Sequence, residues 1–214
     1  MVLQQRMIVF ALAMMLGLTG VRGAESAKLT TPPESLGGLR PGTLTLDKLT
    51  AKYGKPDVTR NGGLLRLYGG AERSNAYGWF MVQNPNYTVP DLAVETAPDS
   101  DKIDLVMSIG YDGFKTQKGV ACFQTEDELI KAYGKPTFAF AAPMNGFVLR
   151  ELYYPELGIS FDLAPTGPTS DRQIIAIYVT YPEFMKRAID LRRNFIRDGV
   201  GKEITFEYDG GKAA

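Results

Sequence analysis

The pattern of apolar and polar positions divides most of the chain into short helices, each followed by strands. Apolar residues at helical spacing predict a first helix over 46–53, which Gly54 and Pro56 end. A proline-containing stretch over 84–100 is predicted as a loop long enough to be functional. Strands are predicted after this helix at 64–68, 77–83 and 103–109.

The same order of elements recurs further along the chain. Thr125 and Glu128 have the spacing of a capping box, which predicts a second helix that ends at Gly134. Strands are predicted after this helix at 147–153, 158–163 and 173–180. In the last of them, apolar side chains at alternate positions predict a half-buried antiparallel strand.

A final segment has its own pattern. Pro182 suits the first turn of a helix. An apolar stripe that predicts docking on a core follows it, formed by Phe184, Ala188, Leu191 and Phe195. Alternating apolar residues then predict a last strand at Ile204, Phe206 and Tyr208.

The helix ends carry a repeat. Tyr53-Gly54-Lys55-Pro56 recurs 80 positions later as Tyr133-Gly134-Lys135-Pro136. The match continues upstream in the pairs Thr45 and Thr125, Asp47 and Asp127, and Leu49 and Leu129. The tetrapeptide is interpreted as a stop signal in which glycine takes a left-handed conformation. The same offset aligns 78–81 with 158–161, and an offset near 71 aligns the third strands.

These patterns predict an α+β fold with two tandem helix-plus-antiparallel-sheet repeats, followed by an amphipathic helix and a strand. The predicted boundaries are a signal peptide at 1–23, a linker at 24–38, repeats at 39–113 and 114–181, and the helix and strand at 182–208.

A helix that ends in Tyr-Gly-Lys-Pro before strands such as 152–161 resembles a group of small exported α/β modules. The β-lactamase inhibitor proteins and the small lipoprotein of the outer-membrane barrel-assembly machinery share this module, in a BamE-like superfamily. The resemblance covers about 36–181 as two copies, and it implies helices against an antiparallel sheet with a role in protein binding or envelope scaffolding. The lipid-attachment cysteine and the paired cysteines of that group are missing here, and no contact residue carries over.

The N-terminus predicts export. Arg6 precedes an apolar run over 7–18, and Val21-Arg22-Gly23 suits a cleavage site, so no stable membrane insertion is expected after cleavage. Cys122 is the only cysteine, which excludes an internal disulfide, and it lies far from the signal. The predicted location is periplasmic or extracellular without a lipid anchor. Together with Ala121 and Phe123, Cys122 is interpreted as packing.

The composition argues against several kinds of chemistry. Lys and Arg total 24 and so do Asp and Glu, which gives no reason to expect nucleic acid. The 214 residues include no histidine, so no Ser/His/Asp or Cys/His set is possible and no metal or cofactor is predicted. An acidic cluster at Asp99, Asp101 and Asp104 is interpreted as a solvated turn. The alternative to a non-enzyme is a hydrolase with two carboxyl groups about 5–9.5 Å apart between the repeats.

Aromatic residues on the strands predict a binding function. Trp, Tyr and Arg anchor many interfaces, so the candidate interface consists of Tyr77, Trp79, Arg150, Tyr153 and Tyr154. Packing in the core is the other interpretation, and it is favoured for Trp79. Tyr153 and Tyr154 lie on opposite strand faces, so one of them is expected to be exposed. The predicted function is an exported, non-enzymatic protein-binding or envelope-associated module whose partner is another envelope or extracellular protein.

Overall fold

Nine strands form one antiparallel sheet in the computed structural model, which describes residues 29–64, 74–82, 88–144, 146–165 and 171–205. The helices among these residues are α1 Leu46–Tyr53, α2 Glu126–Tyr133 and α3 Pro182–Arg197. The strands are β1 Val58–Asn61, β2 Asn75–Trp79, β3 Leu92–Thr96, β4 Ile103–Ile109, β5 Phe138–Met144, β6 Phe147–Tyr154, β7 Ile159–Pro165, β8 Arg172–Thr180 and β9 Lys202–Glu203. The chain is therefore mixed α and β, dominated by its sheet.

The strand order is β1-β2-β3-β4-β8-β7-β6-β5-β9, and every pairing is antiparallel. β1 to β4 are neighbours in sequence order, and β5 to β8 run back toward them from the other side. The two halves join where β4 pairs with β8, with Met107 opposite Tyr178. Between the halves there is a continuous sheet.

The sheet is covered on both faces. Leu49 of α1 and Leu129 of α2 pack on one face, in a cluster that includes Ile177 and Val179 of β8. On the other face, side chains of α3 pack with Ala176 and Tyr178. The prediction of a half-buried β8 is wrong, because a third layer covers the face that would otherwise meet solvent.

Several strands lie where the pattern predicted them, and others were missed. β4 has the predicted bounds, and β6, β7 and β8 differ from the predicted ranges by one or two residues. β1 and β5 were not predicted, and β3 lies inside the stretch predicted as a loop over 84–100. All five residues of β3 are buried, so the strand shows no alternation of apolar and polar positions.

Some predictions fall outside the described residues. The signal peptide at 1–23, residues 65–68 of a predicted strand, Gln83, and Phe206 and Tyr208 of the last strand lie there. Leu64 and Ile204, which are described, are not in strands, and β9 is a two-residue strand just before Ile204.

The helix ends agree with the predicted stop signals in part. Thr125 Oγ1 accepts a hydrogen bond from Glu128 N at 3.3 Å, and Glu128 Oε2 accepts one from Thr125 N at 2.8 Å, which confirms the capping box. Gly54 has φ 84° and ψ −176°, and Gly134 has φ 74° and ψ −167°. The positive φ is as predicted, but ψ is extended, so the left-handed helical conformation is wrong. Glycine alone tolerates this combination readily.

The end of the predicted linker over 24–38 belongs to the folded body. Leu36 is fully buried and pairs with Thr116 in an isolated bridge. Gln117 Nε2 donates to the carbonyl of Pro33 at 2.6 Å, and Glu34 is buried beside it. These contacts fix the chain before α1, so the linker prediction is wrong for this part.

Candidate functional site

Two of the predicted interface residues support the helix ends. The indole N–H of Trp79 donates to the carbonyl of Gly54 at 2.9 Å, and the hydroxyl of Tyr154 donates to the carbonyl of Gly134 at 2.9 Å. Carbonyl groups near a helix C-terminus need partners from outside the helix. Trp79 is 1% exposed and Tyr154 is 5% exposed. In the described conformation both side chains serve the core, as favoured for Trp79.

Tyr153 lies on the opposite face of the sheet and is also buried, at 4% exposure. Its hydroxyl donates to the carboxylate of Glu151, which also accepts two hydrogen bonds from Arg192 of α3, at 2.6 and 2.8 Å. The expectation that either Tyr153 or Tyr154 is exposed is therefore wrong. The two residues do point to opposite faces, but helices cover both faces.

A second carboxyl group lies next to Glu151. Asp162 is directly opposite Glu151 across the β6–β7 pair, and it accepts a hydrogen bond from the Tyr178 hydroxyl at 2.8 Å. Burial raises the pKa of Asp162 to about 8, with a further contribution from the negative charge of Glu151. This polar cluster ties α3 to the second half of the sheet.

The remaining two predicted residues keep some exposure. Tyr77 is half-buried and packs beside the core that α1 and α2 share. The Arg150 side chain is 27% exposed, and its Nη1 donates to Glu126 Oε1 at 2.8 Å and to Glu126 Oε2 at 3.0 Å. Arg150 thus lies at the N-terminus of α2, whereas the aromatic residues of the predicted interface lie on the strand faces.

A second guanidinium shares this position. Arg172 begins β8, and its pKa is lowered by burial and by the positive charge of Arg150, while Glu126 acts in the opposite direction. Arg172 Nε is buried and has no hydrogen-bond partner among the described residues. Two guanidinium groups therefore face one carboxylate.

Phe123 lies just before this group in the chain, in an unusual conformation. Its φ is 71°, which makes it the single non-glycine residue with positive φ in the described part of the chain. Its side chain is 39% exposed. Its backbone N–H donates to the carbonyl of Ile174 at 2.8 Å, and Thr125 bridges Gln173, so this segment runs alongside the start of β8.

We call the four residues at this end of β8 the Phe123 patch; they are Phe123, Glu126, Arg150 and Arg172. The sequence interpretation placed Phe123 in the core with Cys122. Cys122 is indeed buried, and its thiol donates to the carbonyl of Ser108 at 3.8 Å. Phe123 was missed because a positive φ leaves no mark in a sequence when glycine is absent.

The described residues offer little other site chemistry. They contain no group of three His, Cys, Asp or Glu residues that could hold a metal ion. In the predicted acidic cluster, Asp104 accepts hydrogen bonds from Ala97 N and the Tyr181 hydroxyl, each at 3.2 Å. No helix in the described ranges is both long and apolar enough to cross a membrane.

Comparison with known proteins gives no match to a protein-family model, to a curated protein or to a solved structure. The resemblance to the β-lactamase inhibitor proteins and the small assembly lipoprotein therefore stays a prediction. The function is proposed from the residues and contacts of this chain.

Proposed function

We propose that this protein is a non-enzymatic protein-binding module in which Phe123 anchors the partner. The observation that carries the proposal is the combination of positive φ and exposure at Phe123. A non-glycine residue in the left-handed region costs about 1–2 kcal/mol. At 39% exposure, the phenylalanine side chain offsets only part of that cost through burial. Strain that the fold does not need is a reason to look for a function.

The matching turn in the first half supports this interpretation. Thr43 N donates to the carbonyl of Arg40 at 3.3 Å, and Gly42, with φ 80°, occupies the third position of that turn. Gly42 N donates to the carbonyl of Ile103 just as Phe123 N donates to that of Ile174, each at 2.8 Å. Glycine takes a positive φ at this third position without strain. We therefore attribute the phenylalanine at position 123 to a binding role of its aromatic side chain.

We propose further that the halves are tandem copies of one unit of a helix and four strands, with α3 and β9 added after them. The paired contacts of Trp79 with Gly54 and of Tyr154 with Gly134 support this. So do the register shifts after Glu95 in β3 and after Asp162 in β7. On these contacts Trp79 corresponds to Tyr154, 75 positions later. That pairing replaces the alignment of 78–81 with 158–161.

We propose that the protein is exported and acts in the envelope or outside the cell. The sequence supports this through the apolar run over 7–18 and the cleavage site before Ala24, and the partner is accordingly another envelope or extracellular protein. The contact surface differs from the aromatic strand faces expected first, because Trp79, Tyr153 and Tyr154 are buried.

A hydrolase has weaker support. Glu151 and Asp162 are neighbouring carboxyl groups, but both lie in the second half, and the halves meet through the β4–β8 pairing. Glu151 is 2% exposed and is held by Arg192. A carboxylate so engaged has no free face for a water or a sugar.

The test is site-specific crosslinking. A photoreactive phenylalanine analogue replaces Phe123 in the full chain, and the same analogue replaces Val148, which is exposed to a similar degree, as a matched control. We expect a defined partner from envelope or culture fractions to crosslink at 123 and not at 148, and excess unlabelled parent to compete for it.

The partner identified in this way is then titrated against the parent and Phe123→Gly. We expect Phe123→Gly to be at least as stable as the parent and to bind the partner at least tenfold more weakly, as for an interface hot spot. Equal crosslinking at the two positions, or equal affinity of the two proteins, would overturn the proposal.

A further inference from the structure

We infer that the Phe123 patch binds a peptide segment that presents a single carboxylate next to an apolar side chain. This inference rests on the proposed function and names the chemistry of the partner. It combines the exposed aromatic ring of Phe123 with the guanidinium groups of Arg150 and Arg172.

The two arginines of the patch carry more positive charge than Glu126 neutralises. Arg150 and Arg172 carry two positive charges, and Glu126 provides one negative charge between them. Arg150 directs one nitrogen, Nη1, at both oxygens of Glu126. A guanidinium has five N–H donors in a fixed planar arrangement that matches a carboxylate. The patch therefore has donors in excess of acceptors.

One nitrogen of Arg172 lacks a hydrogen-bond partner among the described residues. This nitrogen, Nε, is shielded from solvent. A buried donor that lacks a partner costs free energy, and more so in a charged group. Because Nε itself is shielded, an incoming carboxylate would act on the partly exposed remainder of the Arg172 and Arg150 side chains, where it would offset their mutual repulsion.

Acidic residues near the patch favour a ligand with a single negative charge. The first turn of α2 carries Asp127 and Glu128 beside Glu126. These acids repel a ligand with many negative charges, such as a nucleic acid or a polyphosphate. One carboxylate, flanked by a side chain that packs on Phe123, suits both the arginines and the nearby acids.

The corresponding place in the first half lacks this chemistry. Thr45 bridges Lys102 as Thr125 bridges Gln173, which puts Asp101 where the second half has Arg172. Leu46 begins α1 where Glu126 begins α2. The backbone arrangement alone therefore does not require arginine at position 172.

The experiment uses pairs of synthetic peptides of about twelve residues. Each pair has Phe, Leu or Trp beside a central Glu in one member and beside Gln in the other. Binding to the full chain is measured by surface plasmon resonance. We expect Glu peptides to bind the parent about tenfold more tightly than their Gln partners, as a charge-assisted hydrogen bond would give.

Three variants separate the roles. Arg172→Gln should abolish the preference for Glu over Gln, whereas Phe123→Gly should weaken both members of a pair alike. Glu126→Gln should strengthen binding of the Glu peptides, because it removes the carboxylate that competes for the arginines; a purely structural role of Arg172 would not produce this gain. Thermal unfolding of each variant checks that it folds.

Two results would overturn the inference: equal binding of Glu and Gln peptides by the parent, or no binding of any Glu peptide. Either result leaves the crosslinking test of Phe123 standing, because a partner captured at position 123 would then be recognised by apolar contact alone. Failure of the crosslinking test is a separate outcome that removes the protein-binding function itself.

Discussion

The turns that precede α1 and α2 share a backbone hydrogen bond to the last strand of their half and differ in the residue at their third position. Gly42 takes φ 80° in the first and Phe123 takes φ 71° in the second, and each donates its N–H to the strand that completes its half. The first turn uses the residue that costs least there. The second holds a bulky exposed side chain at a cost. If the halves are copies of one unit, as proposed, the aromatic side chain is a difference that the shared fold does not require.

The halves differ in the same direction elsewhere. The second half alone carries the Glu126–Arg150 pair, Arg172 and the buried Glu151–Arg192 pair under α3. The corresponding strand of the first half, β2, has Asn75 and Ala76 near these places. Added polar groups of this kind cost stability unless each finds a partner. At these matched positions, substitutions in the second half should therefore have the larger effects.

The largest effect should come from Arg192→Met. Glu151 would lose its charged partner while it stays buried, so the free energy of unfolding should fall by about 3–5 kcal/mol. Urea denaturation measures the change. Arg193→Met, at an exposed position on the same helix, is the matched control and should change the value by no more than about 0.5 kcal/mol.

Replacing both partners of this pair sharpens the test. Glu151→Met with Arg192→Met removes both charges and should recover most of the loss, because apolar residues of similar volume replace a buried ion pair at little cost. A single variant as stable as Arg193→Met would show that the pair contributes nothing to the attachment of α3.

The next effect concerns the glycines that end α1 and α2. Gly54→Ala and Gly134→Ala should each lower the free energy of unfolding by about 1–3 kcal/mol, because positive φ with extended ψ is strained for alanine. Apart from the adjoining residues of the chain, no atom of the described ranges lies within 4 Å of an added Cβ at either position, so the cost is conformational and should be similar in both halves.

Thermal and urea denaturation of the two glycine variants provide the comparison. Lys55→Ala and Lys135→Ala, at exposed neighbouring positions, should leave stability nearly unchanged. A large loss in one half and none in the other would contradict the proposal that the halves are copies.

The turns themselves should respond with opposite signs. Phe123→Gly should raise the free energy of unfolding by about 1 kcal/mol through relief of strain. Gly42→Ala should lower it, because φ is positive there and an added Cβ would lie 3.0 Å from the Tyr181 hydroxyl oxygen. Differential scanning calorimetry of both variants measures the two shifts. A loss of stability in Phe123→Gly would mean that the ring packs usefully in the free protein.

The last effect is a dependence on pH, for which the direction is predicted. A raised pKa means that folded Asp162 holds its proton at pH values where the unfolded chain has lost it. Stability should therefore fall as pH rises from about 4 toward about 8. The groups that face Asp162 are Glu151, Tyr178 and Arg192.

Asp162→Asn removes the titrating group. Its thermal midpoint should vary less than that of the parent between pH 5 and pH 8, both measured by circular dichroism. Parallel curves for the two proteins would show that the carboxyl titrates in the folded state as it does in the unfolded chain.

Much of the fold follows from local patterns, and the site does not. The capping box before α2 and the bounds of β4 could be predicted because each depends on neighbouring residues. β3 could not, since burial on both faces removes the alternation that marks a strand. Tyr153 was predicted as a contact residue, because the pattern of a strand does not reveal that a helix from further along the chain covers this side chain.

The candidate site was missed for a related reason. Arg150 was predicted as a contact residue from its type, but its position beside Glu126 and Arg172 depends on the pairing of β6, β7 and β8. The strain at Phe123 is a property of a dihedral angle, and phenylalanine gives no local sign of it. Only the fold brings these residues to one end of the sheet.

The pairing of β4 with β8 also has a consequence for how the chain folds. Ile103–Ile109 can complete the first meander early, but its other edge stays open until residues near 180 arrive. An apolar strand with an open edge invites pairing with other chains. Contacts so distant in sequence also form slowly. A newly made chain is thus most prone to aggregate between the arrival of β4 and that of β8. The length of this period is governed by the roughly sixty residues between the two strands.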